Sequence, residues 1–309
     1  MFIYIIKRTG LAILVIWVVI TLTFVLMHSI PGNPFAKEGR MPKAVFQNLQ
    51  RHYNLDKPPH IQYFLYLKSL SRFDLGPSMK SQTMTVNDMI GKGFPVSAHL
   101  GIQALLVAIT FGLILGISAA LRHNKLQDHF CMVLSIIGIS VPSFILATIL
   151  INFVAVKWKL LPVATWKSWW HTILPTISLA MLPMAYIARL MRSSMLEVLN
   201  QDYIKTAKAK GLRRSTVILK HAIKNAILPV VTVLGIIATN LLTGSFIIEK
   251  IFGIPGMGEM FVKSISNRDY PAILGATVFY SALLTILTLV VDIAYKLIDP
   301  RIKVTGGSE

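Results

Sequence analysis

An all-helical integral membrane protein with six transmembrane helices is what this chain predicts, and three features carry the prediction. Charged residues make up only 14% of the 309 positions, while apolar residues make up 54%. The apolar residues gather into runs long enough to cross a hydrocarbon core of about 30 Å, which takes roughly 20 helical residues. Lysine and arginine concentrate on alternate connections between those runs.

Uncharged runs occupy residues 9–30, 100–121, 130–156, 225–248 and 270–291. A sixth, 171–188, is shorter and carries Pro175 and Pro183. It lengthens past Arg189 if that guanidinium snorkels to the interface or faces protein. A charge at the centre of a span costs about 2.5–3.5 kcal/mol, whereas each Leu or Ile gains only about 0.3–0.6. Six such runs therefore reflect a lipid solvent rather than an accident of composition. Six spans place both termini on one side. On that side, 1–8, 122–129, 189–225 and 296–303 hold 16 basic residues, against 6 in 157–171 and 249–270. The termini are accordingly expected in the cytoplasm. The long connection after the first run carries 9 more basic residues, but connections of that length count little in the rule.

In chain order, residues 1–30 form an N-terminal transmembrane helix. Lys7 and Arg8 precede its apolar run as in a signal peptide, yet the run exceeds the usual length of about 7–15 residues and 28–34 offers no A-x-A-like cleavage site. Residues 31–95 are hydrophilic and are expected to fold as an extracytoplasmic helical insertion. Pro42 starts a helix with Val45, Phe46, Leu49 and Tyr53 on one side, Pro59 starts another carrying Ile61, Phe64 and Leu65, and 74–78 reads as a turn. This insertion is either a space-filling cap or a docking surface. Residues 96–300 form a core of five spans, interrupted by Pro142, Pro175, Pro183 and Pro229; such breaks are tolerated where neighbouring helices or a cavity satisfy the freed carbonyls. Residues 301–309 are a cytoplasmic tail.

Two segments of the core stand apart. Residues 201–212 form a short basic amphipathic helix between apolar runs, with Tyr203, Ile204, Ala207 and the Gly211/Leu212 corner on one side and Lys205, Lys208 and Lys210 elsewhere. Gly211 is a natural left-handed stop. A cytosolic helix of this kind suits being gripped by another protein. Residues 251–271 combine Phe252, Pro255, Gly256 and Gly258 with Arg268 and Asp269, too rich in Gly and Pro for one helix.

Several function classes lack their chemistry. The formal charge of +18 invites nucleic acid, but the seven basic residues between Lys205 and Lys224 lie between spans, where topology and anionic headgroups account for them. No H-E-x-x-H pair marks a metalloprotease, and no G-x-x-x-x-G-K-[ST] marks a nucleotide site. The ionisable candidates for an ion relay, Arg189 and Asp292, fall near span ends, which argues against an ion-coupled secondary transporter. Cys131 is the single cysteine, so an intrachain disulfide is impossible. If transport is driven by nucleotide, another chain supplies the ATPase.

Lys205-Thr206-Ala207-x-x-x-Gly211, followed by 225–229, resembles the coupling loop of ATP-binding-cassette importer permeases. Lys205 stands at the family's glutamate, Thr206 at its middle alanine. The segments 53–58 with Gln62-Tyr63, 74–78, 138–144, 251–271, 291–295 and 299–301 resemble the B-type permease subunits of peptide and nickel importers, most of all the oligopeptide branch. This resemblance covers essentially the whole chain. It implies a type I importer fold, with no catalytic residue and no cofactor on this chain, and ATP and Mg on partner ATPase subunits. It implies a homologous second permease, two ATPases gripping Asp202, Tyr203, Lys205, Thr206, Ala207, Lys208, Ala209, Lys210, Gly211 and Leu212, and an extracytoplasmic peptide-binding protein near Phe252, Pro255, Gly256, Gly258, Arg268 and Asp269. The implied setting is a bacterial inner membrane, the implied substrate an oligopeptide; dipeptides or nickel chelates are the alternatives within the family, an ion-coupled transporter or channel outside it.

Overall fold

A computed structural model describes residues 2–29, 35, 42–81, 83–242 and 244–298. All regular secondary structure among the described residues is helical, with one isolated bridge between Pro77 and Thr85 and no strand. Four helices are long and apolar enough to span a membrane: Thr9–Ser29, Val86–Leu121, Trp170–Leu199 and Tyr270–Val290. Two bent pairs bring the number to six when each counts as one span. The predicted tail and the segment 299–301 lie outside the described residues.

The chain divides into two units, Met1–Val96 with Gly256–Thr285, and Ser97–Pro255 with Ile286–Glu309. The first contains α1 (Phe2–Ser29), α2 (Lys43–His52), α3 (Pro59–Leu70), the start of α4 (Val86–Leu121), α13 (Met257–Asn267) and the first half of α14 (Tyr270–Ile298). Both prolines open helices as expected: Pro42 caps α2 and Pro59 is the first residue of α3. The side that α3 packs is not the expected one. Ile61 and Phe64 are exposed, whereas Tyr63 and Tyr66 pack with Tyr270 and Ile273 against Phe24, Met27 and Leu274. The Tyr63 and Thr21 hydroxyls share a hydrogen bond of 2.6 Å, so a polar tip on each tyrosine hid an apolar ring that belongs to the core. The 74–78 turn is present: Gly76 lies at φ +87° and donates its N–H to Asp74 Oδ1 at 2.9 Å.

The second unit holds the rest of α4, α5 (Leu126–Ser140), α6 (Ser143–Leu150) with a π segment Ile151–Lys157, α7 (Trp170–Leu199), α8 (Asp202–Ala209), α9 (Arg214–Thr216) with a π segment Val217–Ala222, α10 (Ile223–Ala226), α11 (Leu228–Leu242) and α12 (Phe246–Phe252). Here α7 is the central post. Gly112 and Gly116 of α4 lie so close to it that a Cβ would stand 2.9 Å from the Met184 carbonyl and 2.6 Å from the Ala188 carbonyl, respectively. Gly138 of α5 meets it similarly at Ala185 and Met181. Such small-residue approaches are how spans bind in lipid, where the hydrophobic effect gives no preference between neighbours.

Three span boundaries differ from those expected. The second span starts at Val86 rather than Leu100, because nothing between them ends a helix: Pro95 sits inside α4. The run 130–156 is broken, α5 meeting α6 at 105°, where Val141 is extended (φ −87°, ψ 116°) as the residue before a proline prefers. The run 225–248 ends at Leu242, because Gly244 turns the chain at φ +85° before Ser245 caps α12.

Candidate functional site

The ten residues singled out between Asp202 and Leu212 form α8 and its exit. Asp202 sits in the first turn, where a carboxylate complements the helix dipole. It accepts from Lys205 Nζ at 2.9 Å, an exposed pair worth about 0–1 kcal/mol. Thr206 Oγ1 donates to the Asp202 carbonyl at 3.0 Å. Gly211 takes the left-handed conformation at φ +73°, donating its N–H to the Lys208 carbonyl. α8 is therefore a closed unit with its own start and stop.

One side of α8 is seated on this chain and the other is open. Ile204 is fully buried and Ala207 nearly so, and α8 packs on the π segment Val217–Ala222. Lys205, Thr206, Lys208, Ala209 and Lys210 are exposed. Tyr203 and Leu212, expected on the seated side, are 43% and 41% exposed. The reason for Tyr203 is polar: its hydroxyl accepts from Asn225 Nδ2 at 3.0 Å. The sequence drew attention to Asn225 only as part of a motif. A cavity of about 530 Å³ adjoins α8, bounded by Lys208, Leu212, Arg214, His123 and Asn200. His123 and Arg214 carried no sequence signal beyond their charge.

α8 is joined to α7 with almost no slack. Asn200 and Gln201 are the whole connection, and Asn200, Gln201 and Ile204 donate their N–H groups to the carbonyls of Glu197, Val198 and Gln201 at 3.1–3.2 Å. The connection between α8 and the central post is thus short and hydrogen-bonded at both ends.

The residues singled out between 251 and 271 divide. Phe252 ends α12, buried, and Gly253 turns the chain at φ +61°; Pro255 is exposed. In the other unit, Gly256 and Gly258 are buried, the first against Gly93 of α4, whose added Cβ would stand 3.3 Å from the Gly256 carbonyl carbon. Arg268 is half-buried at φ +57°, and Asp269 is buried. Asp269 accepts from Ser78 Oγ, from Met79 N–H at 3.1 Å and from Ala272 N–H at 3.3 Å, so it caps α14 and fastens the segment after Gly76 to it. Pro255 and part of Arg268 are what this set presents to solvent; the other members hold the backbone. Among the described residues no three His, Cys, Asp or Glu side chains converge as a metal site requires.

The family model described as binding-protein-dependent transport system inner membrane component matches residues 112–304, and its N-terminal companion matches 1–101. The dipeptide transport system permease protein DppB of Bacillus subtilis is 56% identical over 97% of each chain. The oligopeptide transport system permease protein OppB of Haemophilus influenzae is 43% identical over 97% of this chain and 99% of its own. Among solved structures, the MetNI methionine ABC transporter in inward-facing conformations is similar with a TM-score of 0.53 at 18% identity, covering 70% of this chain and 97% of that one. That likeness carries the permease fold.

Proposed function

This chain belongs to the family of binding-protein-dependent transport system inner membrane components, and from that premise we propose that it is one of two homologous transmembrane subunits of an ATP-driven peptide importer. It forms half of the translocation path in a bacterial cytoplasmic membrane, with both termini cytoplasmic. Two separate ATPase subunits carry ATP and Mg, and an extracytoplasmic binding protein delivers the peptide. This chain performs no catalysis.

The observation that carries the reading is α8. It is an eight-residue helix with Ile204 and Ala207 seated on its own chain, an open basic and small-residue face, and a two-residue link to the central helix. Closure of the ATPase dimer on ATP pushes this rigid piece, and α7 with its neighbours follows, shifting the population from inward-facing to outward-facing. Relatives named for dipeptide and for oligopeptide transport both match over nearly the full length, so the substrate class is a peptide; oligopeptides are the proposed cargo.

The test is reconstitution of the assembled importer in liposomes with a peptide-loaded binding protein. Uptake that requires ATP and persists when ionophores collapse the ion gradients supports the reading. Uptake driven by an ion gradient without ATP overturns it in favour of a secondary transporter.

A further inference from the structure

Asp128 is 1% exposed, at the start of α5, and faces α7. Arg192 Nε donates to its Oδ1 at 2.6 Å and Arg192 Nη2 to its Oδ2 at 2.7 Å, a two-pronged ion pair. The same Oδ2 accepts from Asn124 N–H at 2.9 Å and lies 3.2 Å from His123 Nδ1. The carboxylate is thus fully engaged, and guanidinium and carboxylate planes are locked in register. Nothing in the proposed transport step yet uses this pair.

Its position along α7 gives it a use. Gly138, one end of the α5 contact, meets α7 at Met181 and Ala185. Arg192 lies 7–11 residues further along, about 10–16 Å at the rise of an α-helix. Cys131 and Ser135 are buried between these two points, so α5 packs on α7 along its length, and the ion pair is the charged, directional contact at its first turn. Beyond Gly138, α5 bends by 105° into α6. Arg192 in turn lies two turns before the end of α7, which leads through Asn200 and Gln201 into α8.

We propose that Asp128 and Arg192 are positioning residues that make the bent α5–α6 span move as one body with α7, and so transmit displacement of α8 to that span. The inference rests on the importer reading for what the motion accomplishes, but the rigidity it asserts belongs to this chain alone. Without the pair, α8 still carries α7, while the start of α5 is left to the packing of its small buried side chains and tilts more freely against α7. Nucleotide turnover then continues with fewer peptides carried.

The experiment compares wild type with Asp128→Asn, Arg192→Gln, the double variant and Arg192→Lys, each in the assembled complex in liposomes. Peptide imported per ATP hydrolysed is the readout. Couplings between sites commonly amount to about 5–150-fold, and a fall of about tenfold is expected for each single neutralisation. The double variant is expected to fall no further than the singles, since both remove one interaction. Arg192→Lys, which keeps the charge and loses the fork, falls less. A purely structural role would lower the amount of complex and scale uptake and hydrolysis together, leaving the ratio untouched; an unchanged ratio, or effects that multiply in the double variant, overturns the proposal. A second measurement is independent of transport. Spin labels at Ala209→Cys and Trp158→Cys, both exposed, with native Cys131 buried, report the spread of distances between α8 and the end of the bent span. Arg192→Gln broadens that spread if the pair is a clamp, and an unchanged spread overturns the clamp. Failure of the wild type to import peptide with ATP would count against the importer reading and leave this second result standing.

Discussion

Asn225 Nδ2 donates a 3.0 Å hydrogen bond to the Tyr203 hydroxyl, and the same amide donates to the His221 carbonyl at 3.0 Å. One side chain therefore ties α8 to α10 and to the π segment before it. Tyr203→Phe removes a bond worth about 0.5–1.5 kcal/mol. Amide hydrogen exchange across 202–209 is expected to accelerate several-fold, with a partial loss of uptake. Equal protection in the variant would show that seating of Ile204 and Ala207 alone holds the helix.

Ala207→Asp places a carboxylate in the buried seat of α8, and Gly211→Pro demands φ near −65° where the chain needs +73° while deleting the N–H that bonds Lys208. Both variants are expected to reach the membrane in normal amounts and to import no peptide. Normal uptake by either, measured with labelled peptide, contradicts the lever role of α8.

Helix packing gives a prediction about stability. A Cβ on Gly101 would stand 2.4 Å from the Leu241 carbonyl oxygen, whereas one on Gly10 meets nothing within 4 Å. Gly101→Ala is expected to cost about 1–3 kcal/mol by overpacking, and Gly10→Ala to be neutral or slightly stabilising through helix propensity. Thermal unfolding in detergent distinguishes them; equal midpoints would refute the close α4–α11 approach.

Two polar groups of the first unit, the Asp269 carboxylate and the Tyr66 hydroxyl, should behave oppositely. Asp269→Ala strands the Ser78 O–H and the Met79 N–H, at about 1–3 kcal/mol for each group left unsatisfied. The segment 76–85 is expected to become protease-sensitive. The Tyr66 hydroxyl, by contrast, is buried with no hydrogen-bond partner among the described residues, so Tyr66→Phe is expected to be neutral or stabilising.

Burial also pushes the Tyr66 phenol above its ordinary value, which sets a pH signature. A raised folded-state value favours the neutral form, so the associated stability is present below about pH 10 and is lost as pH climbs above it. Wild type should lose stability on alkaline titration more steeply than Tyr66→Phe. Parallel curves would mean that this phenol is not buried in the folded protein.

Much of this was readable in the chain because the signals are local. Run length located six spans, Gly211 marked the end of α8, and the glycines and prolines of 251–271 announced a broken segment. What was hidden depends on partners distant in sequence. Pro142 was visible as an interruption, but a 105° turn needs α7 to pack both arms. Val86 to Pro95 carries charges and a proline, which read as loop, yet helix continues there because Val86 and Ile90 bury against Met257 and Ala272. Tyr203 looked apolar and turned outward to meet Asn225. Asp128 and Arg192, 64 residues apart, gave no sequence sign of pairing.

The most direct test is to purify the chain from its native membrane in mild detergent, identify what co-purifies, and assay ATP hydrolysis. A homologous permease with two ATPase chains, and hydrolysis stimulated by a peptide-loaded binding protein, is the predicted result. A lone oligomer indifferent to ATP would contradict the account, since α8 would then have nothing to grip it.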